Sequence, residues 1–200
     1  MIGATGIRRI AAIAVAGFAF AAAGAGSATA GPPLVITQDV TGSGHFAKAG
    51  TGVSVSPGTF KFLYYIGPYN FTGDLVLSPG RMAFKTSAGF GVSADVTYTP
   101  TTQLSGTNVG SFSGSFDADI VLSNVKVAGL SVPVGDCETV TPIKFDLTAG
   151  PGFDLVKGGD LSSAYTVPEF GDGCGSAKAF VNEALPGPGN TLNLTTKQRD

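Results

Sequence analysis

Phe112-Ser113-Gly114-Ser115-Phe116-Asp117-Ala118-Asp119-Ile120-Val121-Leu122 is the stretch that decides the fold class of this chain. On an extended backbone Phe112, Gly114, Phe116, Ala118, Ile120 and Leu122 share one side, and Ser113, Ser115, Asp117 and Asp119 share the other. A repeat of two is the signature of a β-strand with one face in a core and one in water.

The same alternation returns on either side. Phe90, Val92, Ala94, Val96 and Tyr98 alternate with Gly91, Ser93, Asp95 and Thr97, and Ile143, Phe145 and Leu147 stand opposite Lys144 and Asp146. Shorter strands are expected over residues 34–41, 52–56, 59–66, 74–77, 81–86, 161–167 and 191–195. Turn signals separate them: Ser56-Pro57-Gly58, Gly67-Pro68, Ser78-Pro79-Gly80, Gly150-Pro151-Gly152 and Gly158-Gly159. One short helix is expected from Ser176 to Leu185, with Ala177, Phe180, Val181 and Ala184 on one face and Pro186 as its stop. Closely spaced amphipathic strands predict an all-β, antiparallel β-sandwich, Ig-like or jelly-roll-like, as a single domain over residues 31–200. An up-and-down barrel is the alternative. A membrane barrel would turn its apolar side to lipid between aromatic girdles, whereas the aromatics here are spread through the strands.

Residues 1–30 read as a secretory signal peptide. Arg8 and Arg9 precede an uncharged apolar run from Ile10 to Gly26, and Ala28-Thr29-Ala30 is a small-x-small cleavage site. The run is built largely of Ala and Gly, too weakly apolar for a membrane anchor. Sec export fits better than the twin-arginine route, whose usual Phe-Leu pair is missing. The expected product is secreted, released or associated with the cell envelope, with no transmembrane segment in its mature part.

Cleavage takes two of the 12 basic residues with it, leaving 10 against 14 acidic ones, a net charge of −4. That balance argues against nucleic acid or an anionic membrane surface as a partner, because both need clustered Lys and Arg. Charged residues are 13% of the chain, about half the usual share, so Ser and Thr supply most of the polarity. The two cysteines, Cys137 and Cys174, read as one disulfide in an exported chain.

The catalytic inventory is thin. His45 is the only histidine, in what reads as a Gly-rich turn, Thr41-Gly42-Ser43-Gly44-His45-Phe46. A serine hydrolase here would have to use it as the base. No Gly-x-Ser-x-Gly elbow exists, since Gly110-Ser111-Phe112-Ser113-Gly114 has Phe at its centre. Phosphate-loop, dinucleotide and zinc-protease motifs are missing too, so no cofactor is expected. Asp117 and Asp119 share a strand face that reads as solvated. Asp136, Glu138 and Asp172 flank the two cysteines, and a disulfide would draw them together as a candidate Ca²⁺ group, with Glu169 near them.

The densest candidate binding segment is Phe60-Lys61-Phe62-Leu63-Tyr64-Tyr65-Ile66-Gly67-Pro68-Tyr69-Asn70-Phe71. Alternation buries Phe60, Phe62 and Tyr64 and leaves Tyr65, Tyr69 and Phe71 near the Gly67-Pro68 turn. Tyr64, Tyr65, Tyr69 and Phe71 are the candidate binding residues, because aromatics on a rigid turn stack on sugars or enter lipid.

Leu130-Ser131-Val132-Pro133-Val134-Gly135-Asp136-Cys137, Tyr165-Thr166-Val167-Pro168 leading to Cys174-Gly175, and Pro188-Gly189-Asn190-Thr191-Leu192 resemble segments of small secreted actinobacterial proteins. Most of that group have no assigned role, and some are labelled cholesterol esterases. The resemblance covers residues 130–192, implies a bridge at the two cysteine positions, and carries no catalytic motif onto this sequence. Two expectations follow. The first is a non-catalytic extracellular or envelope module that binds glycan, lipid or protein. The second is a lipid-ester hydrolase using His45.

Overall fold

The computed structural model describes residues 31–199; the expected signal peptide, residues 1–30, lies outside the described residues. Thirteen strands follow one another: β1 (Leu34–Phe46), β2 (Thr51–Ser54), β3 (Gly58–Tyr65), β4 (Asn70–Leu77), β5 (Gly80–Lys85), β6 (Gly91–Pro100), β7 (Leu104–Val109), β8 (Ser111–Val127), β9 (Leu130–Ser131), β10 (Cys137–Glu138), β11 (Ile143–Ala149), β12 (Gly158–Val167) and β13 (Gly187–Gln198). A 3-10 segment, Asp172–Ala177, and one helix, α1 (Lys178–Ala184), interrupt the last connection.

Many of these strands are segments of longer staves. β2 and β3 both pair with β1, and β6 and β7 both pair with one side of the 17-residue β8. β9, β10 and β11 follow one another along the other side of β8. β4 pairs with β7 and β5 with β6, so these two also succeed each other. The circuit β8–β11–β12–β13–β1–β3–β4–β7 returns to β8 with every pairing antiparallel. The fold is therefore an up-and-down barrel of eight staves, not the expected sandwich. The correction has a plain reason. β1 bonds β13 on one side and β3 on the other, so the sheet closes on itself, whereas a sandwich keeps two sheets with free edges.

Alternation then sorts the side chains as the sequence implies. Phe60, Phe62, Phe71, Phe112, Phe116 and Phe145 are buried inside. Phe71 stacks on Phe112 with ring centroids 4.7 Å apart, and Phe116 on Phe145 at 5.0 Å. Outside, the staves present exposed or half-exposed residues such as Ser113, Ser115, Asp117, Lys144, Asp146, Asn193 and Thr195. That is the reverse of a lipid-facing barrel, whose outer band is apolar. No helix among the described residues is long and apolar enough to cross a membrane.

Small interior residues make room for large ones. Tyr98 reaches across the barrel to Gly44, where a Cβ would collide with its hydroxyl, and Phe71 lies against Gly114, where a Cβ would be 2.9 Å from its Cζ. Such small-to-large matching fits a ring of eight staves around a filled centre.

The two ends are closed differently. At one end Phe153, from the β11–β12 loop, packs on Phe112 at 4.9 Å. Buried Gln38 donates its Nε2 to the carbonyls of Leu155 and Val156, at 3.0 and 3.2 Å, and so pins the loop beneath the barrel. At the other end the α1 region is clamped to the staves. Asn182 donates to the Phe170 carbonyl (3.1 Å) and accepts from the Phe170 N–H (2.8 Å), while the Ser87 N–H donates to Glu183 at 2.6 Å. The Cys137–Cys174 disulfide joins β10 to the 3-10 segment, as expected. Its closed loop, with a sequence separation of 37, contributes about 4 kcal/mol in the chain-entropy picture.

The Gly44–Tyr98 fit generates a coupling prediction. Gly44→Ala should destabilise the barrel by about 1–3 kcal/mol through overpacking. Combined with Tyr98→Phe, which removes the colliding oxygen, it should cost less than the sum of the single changes. Urea denaturation of the four proteins measures this; strict additivity would show that the two positions are not in contact.

Candidate functional site

Up-and-down topology puts the β3–β4, β7–β8 and β11–β12 turns at one end, together with the start of β1 and the end of β13. Turns are where a barrel's alternation stops, so side chains there are not drawn inward. Ile66 and Tyr69 lie on the β3–β4 turn, Val109 precedes the β7–β8 turn, Val156 belongs to the β11–β12 loop, and Leu34 and Val35 open β1. All six are more than two-fifths exposed, and they are six of the ten large apolar residues exposed among the described residues. Gathering at one end distinguishes them from scattered surface hydrophobics, which carry no message.

The tips are held by backbone contacts. Tyr69 adopts a left-handed conformation, with φ 53°, and its carbonyl accepts the Asn108 N–H at 2.8 Å, tying the β3–β4 turn to β7. In the β11–β12 loop the Asp154 carboxylate accepts the backbone N–H groups of Lys157 (2.8 Å) and Val156 (2.9 Å), and these bonds hold its pKa below the usual carboxylate range. The acid of that loop is thus spent on shaping the tip that presents Val156.

The four candidate aromatics divide. Tyr69 is 52% exposed and Tyr65 is half-buried at the edge of the same turn. Tyr64 and Phe71 are buried and face the barrel interior, where Phe71 also contacts Phe62 at 5.8 Å. Tyr64 and Phe71 are both corrections as binding residues: they lie opposite each other in the ladder, cross-strand partners point to the same side of a sheet, and Phe71 follows Tyr64 inward. The exposed aliphatic residues around Tyr69 take its place. Sequence reasoning missed Leu34, Val35, Val109 and Val156; the available signal was an apolar residue next to a turn, as in Val109-Gly110.

His45 lies not on a turn but within β1, whose ladders to β13 and β2 continue through the glycines. It is exposed on the outer face, and its cross-strand neighbours are Thr191 of β13 and Gly52 of β2. Neither neighbour can orient an imidazole as a carboxylate does. Ser43 shares that face two residues earlier, Ser54 pairs with Ser43, and the Ser56 hydroxyl accepts the Gly42 N–H at 2.9 Å. Asp136, Glu138 and Asp172 do not converge. Asp172 is bound by Lys178 at 2.6 Å, an ion pair that lowers its pKa, and no group of three or more metal-ligating side chains forms among the described residues. Cys137 points inward, so its two acidic neighbours point out to solvent.

Inside the barrel, the Tyr98 and Tyr165 hydroxyls are 3.0 Å apart and share a hydrogen bond. Burial pushes the Tyr98 phenol well above its ordinary value, with the neighbouring Tyr165 adding to the rise. Burial likewise pushes Tyr165 up to about 12, its hydrogen bond to Tyr98 offsetting part of the rise. An unfolded chain ionises these phenols near pH 10, about where a free tyrosine does. Their stabilisation is therefore complete below pH 10 and is lost as the pH rises from 10 toward 12, because the unfolded state then holds fewer protons.

Unfolding free energy should accordingly fall above pH 10, by on the order of 1 kcal/mol per pH unit for each phenol. Denaturant titrations across that range measure the slope, and Tyr98→Phe should make it shallower. A slope identical in the variant would show that Tyr98 does not hold its proton in the folded protein. Set against known protein families, curated proteins and solved structures, the chain matches none of them.

Proposed function

We propose that this protein is a secreted, non-catalytic binding module of the cell exterior that docks on lipid through the hairpin-tip end of its barrel. The observation that carries the reading is the collection of Leu34, Val35, Ile66, Tyr69, Val109 and Val156 at that one end. Aliphatic tips favour hydrocarbon over sugar, because a glycan is gripped by flat aromatic faces and, among the described residues, Tyr69 is the one aromatic more than half exposed there. Tyr65 and Tyr69 add rings with a polar end, the side chains suited to the boundary between headgroups and acyl chains. Lys157 and Lys197 are exposed near the same end, where they would meet the phosphates of a zwitterionic headgroup layer. A disulfide fits an oxidising compartment, and the leader sequence supplies the export route.

Each tip side chain contributes on the order of 1–2 kcal/mol when it leaves water for hydrocarbon. Two tip substitutions to Asp should therefore weaken docking at least tenfold. Sedimentation of the mature protein with phosphatidylcholine vesicles, with and without phosphatidylglycerol, measures this for wild type and for the Ile66→Asp, Val109→Asp double variant. Wild type should pellet with vesicles and the double variant should stay in the supernatant, while His45→Ala should behave as wild type. Equal partitioning of wild type and double variant would overturn the reading, as would retention on cell-wall polysaccharide in place of vesicles.

A further inference from the structure

The barrel wall has a breach, away from the hairpin tips, where two neighbouring staves part. β4 last pairs with β7 at Gly73–Leu104, and the next rung along the same line is Gly80–Val96 between β5 and β6. Between these rungs Asp74–Pro79 and Thr97–Gln103 face each other with no backbone hydrogen bond across among the described residues. Pro79 and Pro100 lie in these segments, and proline has no N–H to continue a ladder. The break is thus written into the chain.

Behind the breach is a cavity of about 360 Å³, lined by Leu75, Leu77, Tyr98, Leu104 and Phe116. Its volume lies within the range of pockets that hold one small molecule. The buried side chains of the lining are Leu75, Leu77, Leu104 and Phe116 with Tyr98, whose hydroxyl is turned away to Tyr165. Asp74–Leu77, one lip of the slot, is about 13 Å long at the usual strand rise. A slot between two extended strands admits a narrow chain lying along them and excludes a broad fused ring. Its mouth mixes polar and apolar groups without being basic: Thr97, Thr99, Thr102 and Gln103 border it together with exposed Val76 and Pro100, and no Lys or Arg lines it among the described residues. Asp74, the acid at the mouth, has Lys61 as its ladder partner and accepts the Gln103 Nε2–H at 3.4 Å across the gap.

From this arrangement we infer that the breach is a binding site for one neutral single-chain lipid, its hydrocarbon chain among Leu75, Leu77, Leu104 and Phe116 and a hydroxyl or ester head at the Thr97–Gln103 lip. Charge sets the choice of head. A carboxylate at that mouth would meet Asp74 with no lining cation to hold it, whereas a hydroxyl finds threonine hydroxyls and unladdered backbone groups. The Gln103–Asp74 bond is exposed and long, a link that yields as the chain enters. The inference stands apart from the docking of the hairpin tips, since it concerns a monomeric lipid and a different part of the surface.

Fluorescence of N-phenyl-1-naphthylamine bound to the mature protein provides the test, with 1-dodecanol and laurate as competitors. Dodecanol should displace the probe with one-to-one stoichiometry and at least tenfold more effectively than laurate at pH 8. Leu104→Trp, which fills the cavity, should weaken dodecanol at least tenfold, and Ile66→Asp at the tips should leave it unchanged. A second measurement needs no variant: dodecanol should slow amide hydrogen exchange in residues 74–77 and 97–103 of the wild-type protein. Preference for laurate, full affinity in a folded Leu104→Trp protein, or protection confined to residues 66–69 would each overturn the assignment.

Discussion

Eight rungs between β1 and β13, from Gln38–Gln198 to His45–Thr191, join the first described strand to the last and close the circuit of eight staves. Everything else depends on that closure. It turns a meander of hairpins into a container, fixes which residue of each alternating pair points inward, and divides the turns between two ends. Arg199 reinforces it just beyond β13 by donating to Asp39 on β1. Such an exposed ion pair adds little by itself, so the ladder and the apolar faces behind it do most of the closing.

Inside and outside were legible in the sequence to a large degree. The inward series Phe112, Phe116, Ala118, Ile120 and Leu122 is buried as the alternation requires, and so are Phe145 and Leu147. The closing disulfide and the short C-terminal helix were also readable, although the helix begins as a 3-10 turn at Asp172. Closure was not, because a strand of period two looks the same in a sandwich and in a barrel. What separates them is which strand lies beside which, and the β1–β13 contact spans nearly the whole described chain. Phe90 shows the local limit. It continues the alternation of β6 but lies just before that strand begins, and it is half exposed against Phe180 at 6.0 Å.

The candidate site was less legible for the same reason. The segment from Phe60 to Phe71 drew attention by its aromatic density, yet density in a strand mostly reports the core. Phe60, Phe62 and Phe71 fill the barrel, and of the segment's aromatics Tyr69 on the turn is the exposed one. The residues that make the tip end distinctive come from segments far apart in sequence, at positions 34, 66, 109 and 156, and only the meander brings them to one side. The molecule thus divides its surfaces by chemistry. Polar staves face water, an aromatic interior holds the ring rigid, and apolar side chains collect at the tips of one end. The lateral breach departs from this plan at the place where proline interrupts two neighbouring staves.

Amide hydrogen exchange of the free protein tests the closure most directly. If β1 and β13 seal the barrel, their paired amides should exchange as slowly as those of β8, through global unfolding alone and with the same denaturant dependence. Exchange of β13 through a smaller, separate opening, with β8 still protected, would contradict the account, because the last strand would then be a loosely attached edge and not the stave that shuts the ring.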